Sequence, residues 1–170
     1  FARGQHIDPS QLVKEGDYTW AHVVNQGRAV EDVLPDLFLS LITGLNFTRS
    51  MRWADEEAHF IRPVRWIVAL ADDKVIPVEF AHVKSGRVSR GHRFLCKEPV
   101  TIDKPEDYKE TMRKAFVIVD QDERRDMIKK GLLETAEKLG GHVWHNADLL
   151  EEINYLVEYP TPLYGRIDDE

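Results

Sequence analysis

The sequence predicts an α+β fold in which helices pack on a mostly antiparallel sheet. Apolar residues recur at spacings of three and four near both ends of the chain, which is typical of amphipathic helices. Between residues 60 and 95, β-branched and aromatic residues concentrate in short runs separated by turn residues, which is typical of antiparallel strands. Strands and helices do not alternate regularly, so a doubly wound α/β fold is not expected.

Two segments are predicted, residues 1–46 as the end of a preceding segment and residues 47–170 as an α+β domain. In the first, residues 8–14 indicate a short polar helix. The alternating residues 18–24 indicate a strand that closes in a hairpin turn at residues 25–27, because asparagine and glycine favour such turns.

A second helix is predicted at the end of the first segment. From Val30 onward, apolar residues fall on a single helical stripe. Proline inside a helix removes a hydrogen bond and crowds the preceding turn, so we expect this helix to begin at Pro35 and to end at Gly44.

The middle of the chain is predicted to contain most of the strands. Residues 60–71 and 75–80 are rich in β-branched and aromatic residues, and residues 72–74 between them indicate a β-hairpin. Residues 88–95 form a further extended candidate. Gly91 within that run indicates either a bulge or the close approach of another backbone segment.

Helices are predicted to dominate the last third. Asp103 and Pro105 mark a helix start, because a short acceptor caps free backbone amides and proline fits the first turn. Residues 116–119 indicate a short buried strand. Asp120 is predicted to cap a long helix that extends to about Leu139, where a glycine pair ends it.

The long helix is predicted to direct one apolar stripe inward. Its members are Met127, Ile128, Leu132, Leu133, Ala136 and Leu139. Beyond this helix we expect a strand at residues 143–145, a helix at residues 147–158 and a final strand at residues 163–167.

Composition limits the classes of protein that are possible. Hydrophobic residues make up 42% and charged residues 31% of the 170 residues, which is typical of a globular protein. No apolar run approaches the roughly 20 residues of a membrane span, so we expect no membrane partner. The single Cys96 favours a reducing, cytoplasmic setting. Because the chain starts at Phe1 rather than Met, we expect an excised part of a longer protein.

The sequence lacks the motifs of common enzyme chemistries. It contains neither the phosphate-binding pattern G-x-x-x-x-G-K-[ST] nor the dinucleotide pattern G-x-G-x-x-G. Ser85 lies near His82, but polar loop positions explain the pair more simply than nucleophilic catalysis. His142 and His145 would point to opposite faces of a strand, which favours structural roles over a metal site. We therefore predict no catalytic residue and no metal ligand.

A basic segment, residues 81–97, carries the strongest chemical signal. It contains no acidic residue, and residues 47–97 have a net charge of +4 within a chain of net charge −7. Guanidinium groups pair bidentately with phosphate oxygens, and aromatic neighbours stack on unpaired bases. The residues predicted to contact nucleic acid are Arg87, Arg90 and Arg93, which we expect to share one strand face, together with Lys84 and His92.

A structural explanation of the same cations stays open. Residues 98–170 have a net charge of −8, and the basic side chains would then pair across strands with these acidic residues. Structural roles are also favoured for Arg62 and Arg65, which lie at a predicted strand, and Trp66 is expected in the core.

Five short motifs together carry a family resemblance. They are Ser50-Met51-Arg52-Trp53, Phe60-Ile61-Arg62-Pro63-Val64-Arg65-Trp66, Lys84-Ser85-Gly86, Arg90-Gly91-His92-Arg93-Phe94 and Leu156-Val157-Glu158-Tyr159-Pro160. In their order and spacing, the chain resembles the β subunit of bacterial glycyl-tRNA synthetase over nearly its whole length. It also resembles the B3/B4 region of the phenylalanyl-tRNA synthetase β subunit, which implies a B3/B4-like α+β domain.

The resemblance implies that this chain is part of a subunit of an α2β2 enzyme that joins glycine to tRNA(Gly). In that family the α subunit holds the aminoacylation site with ATP and Mg²⁺, so no cofactor is expected in this chain. The expected partners are tRNA(Gly) and the α subunit. We therefore expect an accessory part, non-catalytic alone, that binds tRNA or acts as a scaffold.

Two alternatives to tRNA binding remain open. The first is a purely structural module between domains, in which the basic segment neutralises acidic helices. The second is a vestigial or active editing domain that deacylates tRNA, as the B3/B4 resemblance implies. Editing requires a closed pocket with convergent polar groups, and no set of residues in the sequence matches one.

Overall fold

The computed structural model describes residues 2–23, 26–53 and 57–167. Backbone contacts divide the chain into two compact units, residues 1–33 and residues 34–170. The boundary predicted after residue 46 concerns modules of a longer protein, and it stays a prediction. Within the described ranges, no helix has both the length and the apolar character needed to span a membrane.

The first unit contains a short helix, α1 (Ala2–Gln5), and a β-hairpin. Strands β1 (Leu12–Glu15) and β2 (Tyr18–Ala21) pair antiparallel. Gly16 lies in the turn with a φ of +61°, which glycine adopts without strain. Of the strand predicted over residues 18–24, Tyr18–Ala21 form β2, which pairs with the preceding strand β1. The turn predicted at residues 25–27 includes Asn25, which lies outside the described residues.

The helix predicted over residues 8–14 is wrong. Only Pro9–Gln11 form one 3-10 turn, which Asp8 caps by accepting a hydrogen bond from the Ser10 backbone N–H. The chain then becomes extended at Leu12, because pairing with β2 satisfies the backbone groups that a longer helix would have used.

Helix α2 (Val30–Gly44) begins earlier than predicted. Pro35 lies inside this helix and has no N–H, so it removes one backbone hydrogen bond. The Asp32 carbonyl in the first turn also accepts a hydrogen bond from the Arg28 guanidinium at 2.9 Å. The predicted end at Gly44 is confirmed.

The described residues of the second unit form seven short strands, which are mostly antiparallel. They are β3 (Ile67–Val68), β4 (Leu70–Ala71), β5 (Lys74–Val75), β6 (Glu79–Phe80), β7 (Val83–Gly86), β8 (Val88–Arg90) and β9 (Pro99–Thr101). Strands β3, β7 and β6 form one sheet, in which β3 and β7 are parallel, while β4–β5 and β8–β9 are antiparallel pairs. With the helices, these sheets confirm the α+β class.

The predicted hairpin around residues 72–74 is confirmed, with Asp72 and Asp73 between β4 and β5. Behind it, the buried side chains of Ala69, Ile76 and Val78 form the core of this region. The apolar stripe of α2 packs against this core through Leu34, Phe38 and Ile42. The predicted strands are shorter than expected because the chain changes sheet partner every few residues.

The strand predicted over residues 88–95 ends at Arg90, and residues 93–95 form a turn. The close approach predicted at Gly91 is confirmed. A Cβ atom at this position would lie 2.5 Å from the Ala115 carbonyl oxygen and 2.9 Å from the Cys96 Cβ atom. The His92 N–H donates to the same Ala115 oxygen at 2.9 Å, so the chain after β8 is held against residue 115.

Beyond β9, the residues that the structure describes form three helices: α3 (Tyr108–Lys114), α4 (Gln121–Lys138) and α5 (Ala147–Leu156). A 3-10 turn at Pro105–Asp107 leads into α3. The predicted cap at Asp103 is wrong: Lys104 occupies the cap position of that turn, and no side chain caps it. Asp103 instead lies near Arg87, as described below.

Helix α4 begins and ends as predicted. The Asp120 carboxylate accepts the backbone N–H groups of Asp122 and Glu123, and Gly140 follows the helix with a φ of +67°. The prediction that one apolar stripe of α4 points inward is only partly correct. Ile128 is buried and Met127 and Ala136 are half-buried, whereas Leu132, Leu133 and Leu139 are exposed.

The strands predicted at residues 116–119, 143–145 and 163–167 are wrong, since none of these segments pairs in a sheet. Ile118 is nevertheless buried, and its N–H donates to the Glu158 carbonyl at 2.9 Å. The apolar pattern therefore identified a buried residue correctly, but a strand also needs a neighbouring strand, which the pattern does not report.

The Asp120 cap predicts a specific dependence of stability on pH. Lys109 Nζ lies 2.7 Å from Asp120 Oδ2, and this hydrogen bond, together with the two backbone N–H donors, holds the pKa of Asp120 below its usual value of 3.8. Because the folded-state pKa is lowered, the stabilisation is present above the unfolded-state pKa and is lost as pH falls through the folded-state pKa.

We therefore expect Asp120→Asn, which keeps an acceptor for the cap but has no charge, to lower stability at pH 7. The difference from the unchanged protein should shrink as the pH is reduced towards 2. Urea unfolding at pH 7, 4 and 2 measures this. Asp126→Asn, at an exposed position of the same helix, is the control. A difference that stays constant with pH would contradict the prediction.

Candidate nucleic-acid interface

The basic segment does not form one continuous strand. It passes through β7, bends at Arg87, continues through β8 and leaves the sheet after Arg90. Arg93 lies in the following turn. The prediction that Arg87, Arg90 and Arg93 share a strand face is therefore wrong, because the chain turns where it packs against residue 115.

Arg87 is engaged inside the molecule. Its guanidinium donates to the Asp73 carbonyl oxygen at 2.8 Å and to the Asp103 carbonyl oxygen at 3.3 Å. The Asp103 carboxylate lies 4.0 Å away and adds a weak ion pair. Arg87 thus joins the β4–β5 turn to the segment after β9, which is a bracing role. Its predicted phosphate contact stays a prediction.

His92 holds the turn that follows β8. Its Nδ1 atom accepts the backbone N–H groups of Phe94 and Leu95, each at 3.3 Å. The His92 carbonyl also accepts the Cys96 N–H at 2.9 Å. The ring therefore shapes the turn, and its predicted contact with nucleic acid likewise stays a prediction.

Arg93 and Phe94 are presented by this turn to solvent. Phe94 is 76% exposed, and Arg93 is also exposed. Among the described residues, neither an ion pair nor a side-chain hydrogen bond engages Arg93. This side chain is therefore available to an external anion, although it does not share a surface strand with Arg90.

Lys84 and Arg90 line one cavity with Arg65, and we call this cavity the cationic cleft. It has a volume of about 340 Å³, and Trp66 forms part of its wall. Its remaining lining comes from β3, β7, β8 and Pro99, and no acidic side chain lies among the lining residues that the structure describes. The arrangement concentrates three positive charges at a concave surface, which attracts anions.

Strand pairing explains how residues distant in sequence meet at the cleft. Ile67 of β3 pairs with Ser85 of β7, which places the residues just before each, Trp66 and Lys84, side by side. Ser85 fixes this region, because its hydroxyl donates to the Ile76 carbonyl at 2.7 Å and accepts the Val78 N–H at 2.8 Å. Both hydrogen bonds of this hydroxyl are with the backbone, so its role is structural. The sequence likewise favours a structural role for Ser85 over nucleophilic catalysis.

The cleft contains two residues to which sequence reasoning gave structural roles. The sequence favours a structural role for Arg65 and predicts Trp66 in the core, but Trp66 is 42% exposed. The sequence signal for these two residues is that a cation, Arg65, directly precedes an aromatic residue, Trp66. This signal alone does not predict the cleft, because the cleft also needs the parallel strand β7, which the sequence does not predict as the partner of β3.

Several acidic side chains of the last third have partners within that third. Arg125 binds Glu151 through Nε and Nη2, each at 2.8 Å, and this guanidinium holds the pKa of the Glu151 carboxyl below its usual range. Arg113 binds Glu123, and Lys109 binds Asp120.

The basic segment consequently retains most of its charge. Of its five lysines and arginines, Arg87 is the one that forms an ion pair with residues 98–167 of the described chain. Lys84 lies 3.9 Å from Glu79, but both side chains are mostly exposed, so the pair is weak. The alternative in which acidic helices neutralise the basic segment therefore applies to Arg87 and not to the cleft.

Metal chemistry has no support in the described part of the chain. No group of three or more histidine, cysteine, aspartate or glutamate side chains is placed there to hold a metal ion. His142 and His145 are both exposed.

The fold and the cleft define the class of protein: an α+β module whose surface carries a cation-lined cleft beside an exposed tryptophan. The comparison with protein families makes this specific. The chain belongs to the glycyl-tRNA synthetase beta subunit family, whose family model matches residues 1–170.

Curated relatives agree with this assignment. The glycine--tRNA ligase beta subunit of Desulfitobacterium hafniense (strain DSM 10664 / DCB-2) is 45% identical over 171 residues, which cover 98% of this chain and 25% of the relative. The protein of the same name from Natranaerobius thermophilus is 42% identical over 174 residues, covering 100% and 25%. That from Clostridioides difficile (strain 630) is 42% identical over 158 residues, covering 93% and 23%. The chain thus spans about a quarter of the length of these relatives.

Proposed function

We propose that this chain is an accessory, tRNA-binding part of the beta subunit of glycine–tRNA ligase, the cytoplasmic enzyme that attaches glycine to tRNA(Gly) using ATP. The observation that carries the proposal is the cationic cleft, where Arg65, Lys84 and Arg90 line one cavity without an acidic neighbour among its described lining residues. RNA presents a dense row of phosphates, and clustered cations bind it by releasing its counterions.

In this proposal the chain does not carry out aminoacylation by itself. ATP, Mg²⁺ and glycine bind to the α subunit of an α2β2 assembly, and this chain needs no cofactor of its own. Lys84 and Arg90 contact phosphates together with Arg65, and Arg93 contacts the RNA from the neighbouring turn. Arg87 and His92 also hold the backbone that presents these cations, and their own contacts with the RNA remain predictions.

A second function, a brace between neighbouring domains, is favoured by one observation. The Arg87 guanidinium already donates hydrogen bonds to two backbone carbonyls and lies near one carboxylate of this chain. In the bracing proposal, the cleft binds an acidic surface of another domain rather than RNA. Editing of mischarged tRNA is the third proposal, and its test is deacylation of such a tRNA by this chain.

The tRNA proposal is tested by titrating tRNA(Gly) against the chain in filter-binding assays at several salt concentrations. The variant Arg65→Ala/Lys84→Ala/Arg90→Ala should bind more weakly. Its plot of log affinity against log salt should be flatter by about one unit for each phosphate contact that is lost.

The matched control is Lys114→Ala/Lys130→Ala/Lys138→Ala, which removes the same charge from exposed helix positions. It should leave the salt slope nearly unchanged, because long-range attraction alone is screened over about 8–10 Å. Equal slopes for the cleft variant and the unchanged protein would refute the tRNA proposal and favour the brace.

A further inference from the structure

A second cavity adjoins the cationic cleft, and we call it the aromatic pocket. It has a volume of about 390 Å³ and is lined by Trp66, Ser89 and Tyr108 together with apolar side chains of β3, β4 and the segment after β9. Trp66 and Ser89 also line the cationic cleft, so the two cavities share a wall.

The two cavities differ in the kinds of side chain that line them. Positive charge lies in the cleft, whereas the pocket presents two aromatic rings and a hydroxyl. Trp66 is 42% exposed and Tyr108 is 36% exposed, although both rings line a concave surface. Ser89 is buried and lines both cavities.

A cationic cavity next to an aromatic one is suited to a nucleotide as ligand. A nucleotide joins an anionic phosphate to a flat base, whose faces stack on aromatic rings and whose edge forms hydrogen bonds. In a duplex, the faces of each base are covered by its neighbours and its edge by its partner. A pocket with aromatic walls can therefore accept a base only from an unpaired stretch.

We propose that the cleft and the aromatic pocket together bind one unpaired nucleotide of an RNA, with its phosphate in the cleft and its base in the pocket. This inference rests on the proposed function and narrows it from RNA in general to a single-stranded segment. Trp66 is the central residue, because it forms the wall between the phosphate site and the base site. Ser89 supplies a hydrogen bond to the edge of the base.

The test compares three fluorescent RNA probes by anisotropy, with the whole 170-residue chain. They are a single-stranded hexanucleotide of mixed sequence, the same backbone with abasic sugars, and a duplex that contains the hexanucleotide sequence. The hexanucleotide should bind about tenfold more tightly than the abasic probe, because stacking of one base is lost in the latter.

Aromatic variants locate the effect. Trp66→Ala should lower affinity for the hexanucleotide by about tenfold and leave duplex affinity unchanged, whereas Trp66→Phe should restore much of the loss. Tyr108→Leu provides an independent deletion of a ring if Trp66→Ala does not fold. Trp144→Ala is the control, because Trp144 is 84% exposed and lines neither cavity.

Equal binding of the hexanucleotide and the abasic probe would overturn the inference, as would equal losses in Trp66→Ala and Trp144→Ala. These outcomes are distinct from failure of the tRNA proposal. If the cleft variant loses tRNA affinity while the two single-stranded probes bind alike, the cleft contacts RNA through its backbone alone. In that case the nucleotide pocket is refuted and the tRNA role stands.

Discussion

Gly91→Ala is expected to lower the free energy of unfolding by about 3 kcal/mol or more. The new methyl group would lie 2.5 Å from the Ala115 carbonyl oxygen and 2.6 Å from the Ala115 Cβ atom, and neither can yield without moving backbone. Ala115 is buried at the end of α3, and its oxygen accepts the His92 N–H. Relief of the clash would therefore separate β8 from α3 and break that hydrogen bond.

Urea unfolding monitored by circular dichroism measures this effect. Gly86→Ala is the matched control, because it lies in β7 of the same region and its Cβ atom would meet no atom within 4 Å. We expect that variant to change stability by no more than about 0.5 kcal/mol. A loss of less than about 1 kcal/mol for Gly91→Ala would show that the segment after β8 moves away from Ala115 at little cost.

Arg124→Met is expected to destabilise the protein by about 3 kcal/mol. The guanidinium donates to the Ile118 carbonyl oxygen at 2.6 Å and to the Asn154 carbonyl oxygen at 2.8 Å. Asn154 lies in the last turn of α5, where carbonyl groups have no partner within the helix. Methionine fills similar space without a donor, so both partly buried carbonyls would lose this hydrogen bond.

The neighbouring Arg125→Met is the control. Arg125 forms two hydrogen bonds with Glu151 and one with Asp122, but these carboxylates are solvated and salt screens the pair. We expect a smaller loss of stability that declines further in high salt, whereas the loss in Arg124→Met should be nearly independent of salt. Equal losses in the two variants would show that the backbone carbonyls find water instead.

The first of these predictions concerns a residue that holds the candidate site in place. Gly91 fixes the chain directly after Arg90, and Ser85 fixes the strand next to Lys84. The cations themselves are exposed and make few contacts within the molecule. Substitutions in the cleft should therefore change binding while leaving stability nearly unchanged, and substitutions at the supporting residues should do the reverse.

The features predicted correctly from the sequence are local ones. Asp120 caps α4 because its carboxylate reaches N–H groups two and three residues ahead, and Gly44 ends α2. The hairpin at residues 72–74 was likewise predictable, because its strands are adjacent in sequence. In each case the interacting groups lie within a few residues of each other, so the pattern contains both partners.

The errors concern partners that are distant in sequence. Residues 116–119 are apolar enough for a strand, yet the Ile118 N–H binds the Glu158 carbonyl, 40 residues away along the numbering, outside any sheet. Arg87 was predicted to face solvent, yet its guanidinium donates hydrogen bonds to the carbonyl oxygens of Asp73 and Asp103. A cation cannot be assigned to solvent or to an internal carbonyl until the approach of those segments is known.

The sequence by itself determined the family, the α+β class and the excess of positive charge in residues 47–97, and it indicated either a bulge or a close approach at Gly91. Only the tertiary structure decided which cations act together. Parallel pairing of β3 with β7 brings Arg65 and Trp66 beside Lys84, while the guanidinium of Arg87 donates hydrogen bonds to carbonyls of the same chain. The physical reason is that composition fixes how much charge a segment carries, whereas strand pairing between distant segments fixes where that charge lies and what opposes it.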